Sequence, residues 1–389
     1  MGIIAKMFGN SESQSKTEFR CNLLIMGKTG TGKSSLLNYL CDKKFAQTGA
    51  GKPVTGEGIY EYDVRINNQE VKIFDSWGIE AGKVDRWQHL ITESLKQHGV
   101  QKSMEDWFHS VIYCIQAGGG RVEDVDAAII NKFLGEGYHL TVVLTKADQV
   151  SEDEEKLMKK VIYQSVVGTP EYKCELNIIS TCAEKKTLRN GTTTKPFGKE
   201  DVQKAILEGW RDTIIDRMPK HVIARLSEMI DFWCKDTIDN HLLMGDWKIT
   251  GNSKDNKKIY SDLAEKAKEA LQEIENESLP KFLKDAIESC RKANAALKSV
   301  FDIELDYSSI ESKLSEAVTA ESKAKFQQIW DRILLVPAIV DLIKSFNKAS
   351  IDNEKDKLAH YIKDLGELMK SEIAKAEPDV KQSIANALK

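Results

Sequence analysis

A glycine-rich segment near the start of the chain carries the residue types that bind phosphate groups. Residues 27–34 are Gly-Lys-Thr-Gly-Thr-Gly-Lys-Ser, which fits the pattern Gly-x-x-x-x-Gly-Lys-Ser. Glycines let backbone N–H groups turn toward phosphates at a helix N-terminus, and the lysine brings a positive charge to the β and γ phosphates. We therefore predict that Lys33 is catalytic and that Ser34 ligates Mg²⁺. The predicted phosphate-binding set is Gly27, Thr29, Gly30, Thr31, Gly32, Lys33, Ser34 and Ser35.

A second motif indicates which base accompanies the phosphates. Thr145-Lys146-Ala147-Asp148 follows the apolar run 140–144 and fits the pattern Asn/Thr-Lys-x-Asp. An aspartate carboxylate accepts hydrogen bonds from the N1–H and 2-amino groups of guanine, a pair of donors that adenine lacks. The stem of the lysine packs over the base. We predict that Thr145, Lys146 and Asp148 bind guanine, and that Ser180 and Thr181, after the last predicted strand, add a backbone contact to its oxygen.

Two further segments are candidates for Mg²⁺ and the γ-phosphate. Asp75-Ser76-Trp77-Gly78 ends a predicted strand and fits Asp-x-x-Gly, in which the aspartate holds the metal shell through water and the glycine N–H meets the γ-phosphate. Thr55 falls between the phosphate loop and the second strand, where a mobile loop would place its hydroxyl on Mg²⁺. The alternative for Thr55 is an ordinary threonine in a turn. The predicted metal ligands are Ser34, Thr55 and Asp75, and Thr55 and Gly78 join Lys33 as catalytic candidates.

Six short β-rich runs must position these motifs. They are Cys21–Met26, Tyr60–Ile66, Val71–Phe74, Val111–Ile115, Leu140–Leu144 and Leu176–Ile179. Only the second and third are close enough in sequence to form a hairpin, whereas the others need helical crossovers. The sequence therefore predicts an α/β domain with a mostly parallel six-stranded sheet that is covered on both faces.

The second half of the chain has a different character. Of 24 glycines, only Gly245, Gly251 and Gly366 lie beyond residue 220. Apolar residues there recur at helical spacing, which predicts buried helical stripes, among them Leu283, Ile287, Cys290, Leu297 and Val300, and Leu358, Ile362, Leu365 and Met369. We divide the chain at Pro219 into an N-terminal extension (1–19), a GTP-binding domain (20–218) and an all-helical domain (219–389).

Residues 20–218, about half of the chain, resemble the P-loop GTPases of the translation-factor-related class. The stretch 32–40, Gly-Lys-Ser-Ser-Leu-Leu-Asn-Tyr-Leu, is similar to the Era-like, septin-like and dynamin-like branches rather than to Ras itself. The resemblance implies a Ras-like fold that binds GTP or GDP with Mg²⁺. Ile79 stands where Ras-like enzymes carry the glutamine that positions the attacking water. Families with a hydrophobic residue here usually recruit that group from elsewhere in the chain or from a partner.

Composition excludes several other classes of protein. The net charge of −4, from 56 basic and 60 acidic residues, argues against a general nucleic-acid binder. Apolar runs are too short to span a bilayer, and the N-terminus lacks a secretory pattern, so we expect a cytoplasmic protein. Residues 1–8 and 333–340 could contact a membrane surface as amphipathic elements, but we favour burial in a helical core.

We therefore predict a GTPase that acts as a nucleotide-dependent switch or assembly protein, with a helical domain that reads the nucleotide state. Hydrolysis should be slow without self-association, as in a nucleotide-dependent homodimer, or without a protein partner. The alternative is a scaffold, filament or membrane-associated module that holds GTP with little or no turnover.

Overall fold

The computed structural model describes most of residues 20–244 and two helices beyond them. The described residues are 20–42, 58–66, 69–80, 82–118, 122–167, 176–185, 193–244, 247, 253–273, 351–375 and 377–378. Thr55, the segments 1–8 and 333–340 and the predicted helical stripe over residues 283–300 lie outside this set.

A six-stranded sheet forms the centre of the first half. Its strands are β1 (Cys21–Gly27), β2 (Ile59–Ile66), β3 (Gln69–Ser76), β4 (Ser110–Gln116), β5 (Leu140–Thr145) and β6 (Asn177–Ser180). The spatial order is β2-β3-β1-β4-β5-β6, and only β2 and β3 run antiparallel to each other. The predicted Ras-like sheet, mostly parallel with one hairpin, is therefore confirmed.

Seven α-helices lie in the described parts of the chain. They are α1 (Lys33–Leu40), α2 (Val84–Gln97), α3 (Asp124–Gly135), α4 (Glu152–Val167), α5 (Lys199–Asp236), α6 (Ser253–Glu273) and α7 (Ile351–Ala374). Short 3₁₀ helices cover Met104–Asp106 and Ala147–Gln149, and a π-helical segment, Thr237–Leu243, follows α5.

The sheet is buried on both faces, which explains why β1 is apolar along nearly its whole length. Successive side chains of a strand point to opposite faces. Leu24 and Met26 accordingly belong to one buried apolar cluster, and Leu23 and Ile25 belong to the other. All four side chains are fully buried. Helical cover on both faces leaves the ends of the strands as the place where polar side chains can gather.

The described residues form two compact units that divide between Arg217 and Met218. We find no strand among the described residues of the second unit. In that unit, Cys234 Sγ lies 3.4 Å from the carbonyl oxygen of Ile362, and Lys370 Nζ lies 2.7 Å from Asp231 Oδ1. The predicted apolar stripe of α7 is buried and consists of Leu358, Ile362, Leu365 and Met369. The domain boundaries at residues 19 and 218 stay a prediction.

Candidate functional site

The predicted motifs meet at one edge of the sheet because five of the strands run parallel. The phosphate loop 27–34 begins at the last residue of β1, and residues 75–78 span the end of β3. Residues 145–148 begin at the last residue of β5, and residues 180–184 begin at the last residue of β6. In open α/β sheets, ligands bind outside the carboxyl ends of the strands, next to the strand from which the chain turns to both sides. Here that strand is β1, and the phosphate loop follows it directly.

The backbone of the phosphate loop requires glycine at three positions. Gly27, Gly30 and Gly32 have φ angles of 143°, 81° and 92°, in the region that side chains other than glycine rarely adopt. A Cβ atom on Gly27 would also overlap the carbonyl oxygen of Cys114 in β4. Gly32 is the residue before α1, whose first turn carries backbone N–H groups without partners inside the helix.

Lys33 and Asp75 form a buried pair of opposite charges behind the loop. Lys33 Nζ donates hydrogen bonds to the carbonyl oxygens of Gly27 and Lys28, at 3.0 Å and 3.1 Å. Burial lowers the pKa of Lys33, and the charge of Asp75 opposes that shift. Burial raises the pKa of Asp75 to about 6, against the opposing effect of Lys33. Asp75 Oδ1 is buried and accepts no hydrogen bond from any described residue, so it can accept one from a hydrated cation.

The segment after Asp75 packs directly on the phosphate loop. The N–H of Thr29 donates to the carbonyl oxygen of Ile79 at 3.1 Å, and the N–H of Ile79 donates to that of Gly27 at 3.2 Å. A Cβ atom on Gly78 would lie 2.6 Å from Thr29 Cα, so only glycine fits there. The side chain of Ile79 belongs to the apolar cluster of Trp77 and is 5% exposed. Ile79 therefore contributes its backbone to this region and its side chain to the core.

A pocket open to solvent lies at the C-terminal end of the phosphate loop, where α1 begins. Asp148 Oδ2 and Thr181 Oγ1 are buried there, and neither has a hydrogen-bond partner in the described part of the chain. An unpaired buried acceptor is costly, so Asp148 Oδ2 is suited to a ligand that brings N–H donors. The pocket is lined by Gly32, Ser35, Leu36, Thr145, Lys146, Asp148, Thr181, Cys182, Ala183 and Glu184.

Thr145 and Lys146, at the end of β5, form hydrogen bonds to the phosphate loop. Lys146 Nζ donates to the carbonyl oxygen of Gly30 at 2.8 Å and to Gln116 Oε1 at 2.9 Å. The Thr145 hydroxyl donates to the carbonyl oxygen of Thr31. The loop after β5 is thus bonded to the phosphate loop through two consecutive residues.

The structure brings six of the predicted site residues together in one pocket, and the other described ones lie outside its lining. Gly32, Ser35, Thr145, Lys146, Asp148 and Thr181 line one pocket. Ser180 is not among the lining residues, and its hydroxyl donates to Glu155 Oε1 at 2.6 Å. Ser34 is partly buried at the start of α1. The individual binding and catalytic roles of these residues stay predictions.

Several residues at or near the pocket are absent from the predicted set. Gln116 is the last residue of β4, a position that the rule on strand ends could have identified. Ala183 and Glu184 lie in the same loop as Thr181, and extending the predicted contact by three residues would have included them.

A second polar cluster holds the back of the phosphate loop. Lys28 Nζ lies 2.6 Å from Asp126 Oδ2 and 3.2 Å from Glu123 Oε1, at the start of α3. Asp126 is almost fully buried, and it also accepts hydrogen bonds from the Tyr113 hydroxyl at 2.6 Å and the Glu123 N–H at 2.9 Å. Every oxygen of this buried carboxylate is therefore hydrogen-bonded.

The described residues contain neither a candidate membrane span nor a candidate cluster of metal ligands. None of their helices is both long enough and apolar enough to cross a bilayer. Nor do their His, Cys, Asp and Glu side chains form a group of three or more that could hold a metal ion.

Comparison with known proteins identifies similar sequences for the first half of the chain. Residues 22–146 match the family model described as 50S ribosome-binding GTPase. The chain is 25% identical over 173 residues to Septin homolog spn1 of Schizosaccharomyces pombe, which covers 38% of this chain and 36% of that protein. It is 26% identical over 146 residues to GTPase Der of Rickettsia peacockii, covering 37% of this chain and 31% of that protein. The chain spans less than half the length of these curated relatives.

Solved structures resemble the same half. A dimerization-deficient mutant of Toc33 from Arabidopsis thaliana has 19% identity and a TM-score of 0.37, covering 52% of this chain and 88% of the other. The septin GTPase domain from Chlamydomonas reinhardtii has 16% identity and a TM-score of 0.38, covering 49% of this chain and 91% of the other.

Proposed function

We propose that this chain, whose residues 22–146 carry a P-loop GTPase domain, binds GTP with Mg²⁺ and hydrolyses it to GDP and phosphate. The observation that carries the proposal is the position of Asp148. Its buried, unpaired Oδ2 lies in the same pocket as Gly32 and Ser35 of the phosphate loop and α1, so a base acceptor and a phosphate-binding backbone share one cavity. A guanine nucleotide supplies the N–H donors and the phosphates that these two groups need.

The residues of the loop divide the work between them. The N–H groups at the start of α1 bind the phosphates, helped by the positive end of the helix dipole. Lys33 is held behind the loop by carbonyl oxygens and supplies the positive charge. Mg²⁺ would be held by Ser34 and Thr55 and, through water, by Asp75, and it would neutralise charge that develops on the phosphates during hydrolysis. Asp75 has to be ionised for this role.

Slow hydrolysis in the isolated protomer is part of the proposal. An isoleucine side chain cannot hydrogen-bond a water molecule, and that of Ile79 is packed in the apolar cluster of Trp77. The group that orients the water therefore comes from another position in the chain or from a partner, and we propose that a second copy of the chain or a partner protein supplies it. An arginine supplied in this way accelerates GTPases by about 10³–10⁵. We further propose that the helical second unit reports the nucleotide state.

Replacing one carboxylate oxygen of Asp148 tests whether the site is specific for guanine. Asp148→Asn replaces a carboxylate oxygen by an amide N–H₂, and should shift preference from guanine to xanthine nucleotides. Binding of GDP, XDP and ADP to the full chain would be measured by titration calorimetry, with the exposed residue change Asp153→Asn as the matched control. Equal competition by ADP and GDP on the unmodified chain would refute the assignment.

A GTP-holding scaffold with negligible turnover is the second candidate, and the buried side chain of Ile79 favours it. Specific GTPase activity, measured over a hundredfold range of protein concentration together with light scattering, separates the two. Activity that rises with concentration supports self-activation. The scaffold is supported if turnover is absent at every concentration, and fast turnover in a strictly monomeric protein contradicts both.

A cytoplasmic location without nucleic-acid binding completes the proposal. Cell fractionation and a titration with duplex DNA and single-stranded RNA test these two points.

A further inference from the structure

Two residues that line the pocket are hydrogen-bonded to each other, although they are 149 positions apart in the sequence. The hydroxyl of Ser35, in the first turn of α1, donates to Glu184 Oε1 at 2.6 Å. Glu184 lies in the loop after β6, beside Thr181 and Cys182, and it lines the same pocket as Asp148. Neither the family resemblance nor the phosphate and guanine motifs assigns a role to Glu184.

The position of this carboxylate is notable because of what surrounds it. The first turn of α1 has backbone N–H groups without partners inside the helix, and it carries the positive end of the helix dipole. Such a turn attracts anions, and the proposed nucleotide would bring its phosphates to it. In the described structure, the anion bonded to this turn is the side chain of Glu184. A carboxylate and a phosphate that need the same hydroxyl repel each other, so they cannot share it.

We propose that Glu184 sets the nucleotide affinity of the site by occupying the Ser35 hydroxyl until the phosphates of the nucleotide displace it. This inference rests on the proposed function, because it presupposes that phosphates bind at α1. Binding then has to break the Ser35–Glu184 hydrogen bond and leaves the Glu184 charge near the phosphates. Glu184 therefore weakens nucleotide binding and speeds nucleotide release, so the site exchanges its nucleotide more readily than its phosphate loop alone would allow.

The size of the effect follows from the one hydrogen bond that is lost. A net intramolecular hydrogen bond corresponds to roughly a three- to tenfold change in an equilibrium constant. We expect Glu184→Ala to tighten GDP binding by about this factor. Glu184→Gln keeps an acceptor for Ser35 and removes only the charge, so its gain should be smaller. The exposed glutamate of α2 provides the control Glu93→Gln, which removes a negative charge outside the pocket lining and should leave affinity unchanged.

The ligand series identifies which part of the nucleotide competes with Glu184. Guanosine, GMP and GDP would each be titrated into the full-length wild type and the three variants, with thermal melts to verify folding. If Glu184 competes with phosphate, the gain in Glu184→Ala appears for GMP and GDP and is absent for guanosine. Weaker guanosine binding in Glu184→Ala overturns the proposal, because it would mean that Glu184 binds the sugar or the base.

A double-mutant cycle tests whether Glu184 acts through Ser35. The gain from Glu184→Ala should shrink in a Ser35→Ala background, and an equal gain in both backgrounds overturns the proposed contact. Unchanged GDP affinity in Glu184→Ala and Glu184→Gln, beside a wild type that binds GDP, overturns this inference alone. A wild type that binds no guanine nucleotide overturns the proposed function as well.

Discussion

Replacing Gly78 by alanine should separate the end of β3 from the phosphate loop. A Cβ atom at this position would lie 2.6 Å from Thr29 Cα and 2.8 Å from Thr29 N, and it would overlap Thr29 Oγ1. Two of these three atoms belong to the backbone, so a rotation of the Thr29 side chain cannot relieve the clash. The backbone angle of Gly78 is outside the left-handed region, and alanine adopts it without strain.

The cost can be worked out from the contacts that hold the two segments together. Moving Ile79 away from the loop breaks the hydrogen bonds Thr29 N–H to Ile79 O and Ile79 N–H to Gly27 O. Two such bonds contribute about 1–3 kcal/mol net. Alanine also lowers the conformational entropy of the unfolded chain, which stabilises the folded state by about 0.4–1 kcal/mol. We expect a net loss of about 1–2 kcal/mol, localised to this junction rather than spread over the sheet.

Hydrogen exchange followed by mass spectrometry measures this loss where it occurs. The amides of Thr29 and Ile79 should exchange about tenfold faster in Gly78→Ala, because 1.4 kcal/mol corresponds to a factor of ten in the open population. The double variant Gly78→Ala/Thr29→Ala should show the same acceleration, since the backbone clash remains. Wild-type exchange rates in Gly78→Ala, or full rescue by Thr29→Ala, would refute the reasoning.

Two further predictions concern a buried acid and a tight helix contact. Because burial raises the pKa of Asp75 to about 6 from an ordinary value of 3.8, the folded state holds this proton more tightly than the unfolded state. The stability that Asp75 contributes is therefore present below pH 4, and about 3 kcal/mol of it is lost as the pH rises through about 6. The measurement is the difference in the free energy of urea unfolding between wild type and Asp75→Asn at each pH. A pH-independent difference would contradict the assigned shift. Gly366→Ala should destabilise the chain, because the new Cβ overlaps Cys234 Sγ. In a Cys234→Ala background the obstacle is gone, so the same change should stabilise α7 by up to about 1 kcal/mol. Circular dichroism during urea unfolding measures both changes. Destabilisation in both backgrounds would show that the thiol is not the obstacle.

The strands were predictable because their side chains face two buried clusters and therefore form short apolar runs. The ends of the strands were less predictable. β3 begins at Gln69, two residues before the predicted start, because Gln69 and Glu70 pair with Ile66 and Arg65 across the hairpin. Backbone pairing of this kind leaves no apolar pattern in the sequence, so polar residues at a hairpin are easily assigned to the turn.

Pro219 shows where a local signal is overridden by packing. Proline removes a helical hydrogen bond and usually ends a helix. The structure instead has α5 continuing from Lys199 to Asp236 with Pro219 inside it. Met218, Val222 and Leu226 are buried along this stretch, and burial of such side chains offsets the cost of the missing bond.

The residues of the site could be predicted from the sequence only where backbone geometry determines their positions. Glycines and strand ends determine where the phosphate and guanine motifs lie, so these positions follow from the sequence. The partner of a side chain depends on elements that are distant in the chain. The hydrogen bonds from Ser180 to Glu155 and from Lys146 to Gln116 are of this kind, and the spacing of these residues in the sequence does not predict them.

The bond between Lys28 and Asp126 links the phosphate loop to the first turn of α3, although the two residues are 98 positions apart in the sequence. Moving Lys28 away would leave the buried carboxylate of Asp126 without its cation, which is unfavourable for a buried charge. Small displacements are therefore cheaper if both segments travel together. A displacement of the first turn of α3 is thus coupled to the phosphate loop through the ammonium group of Lys28.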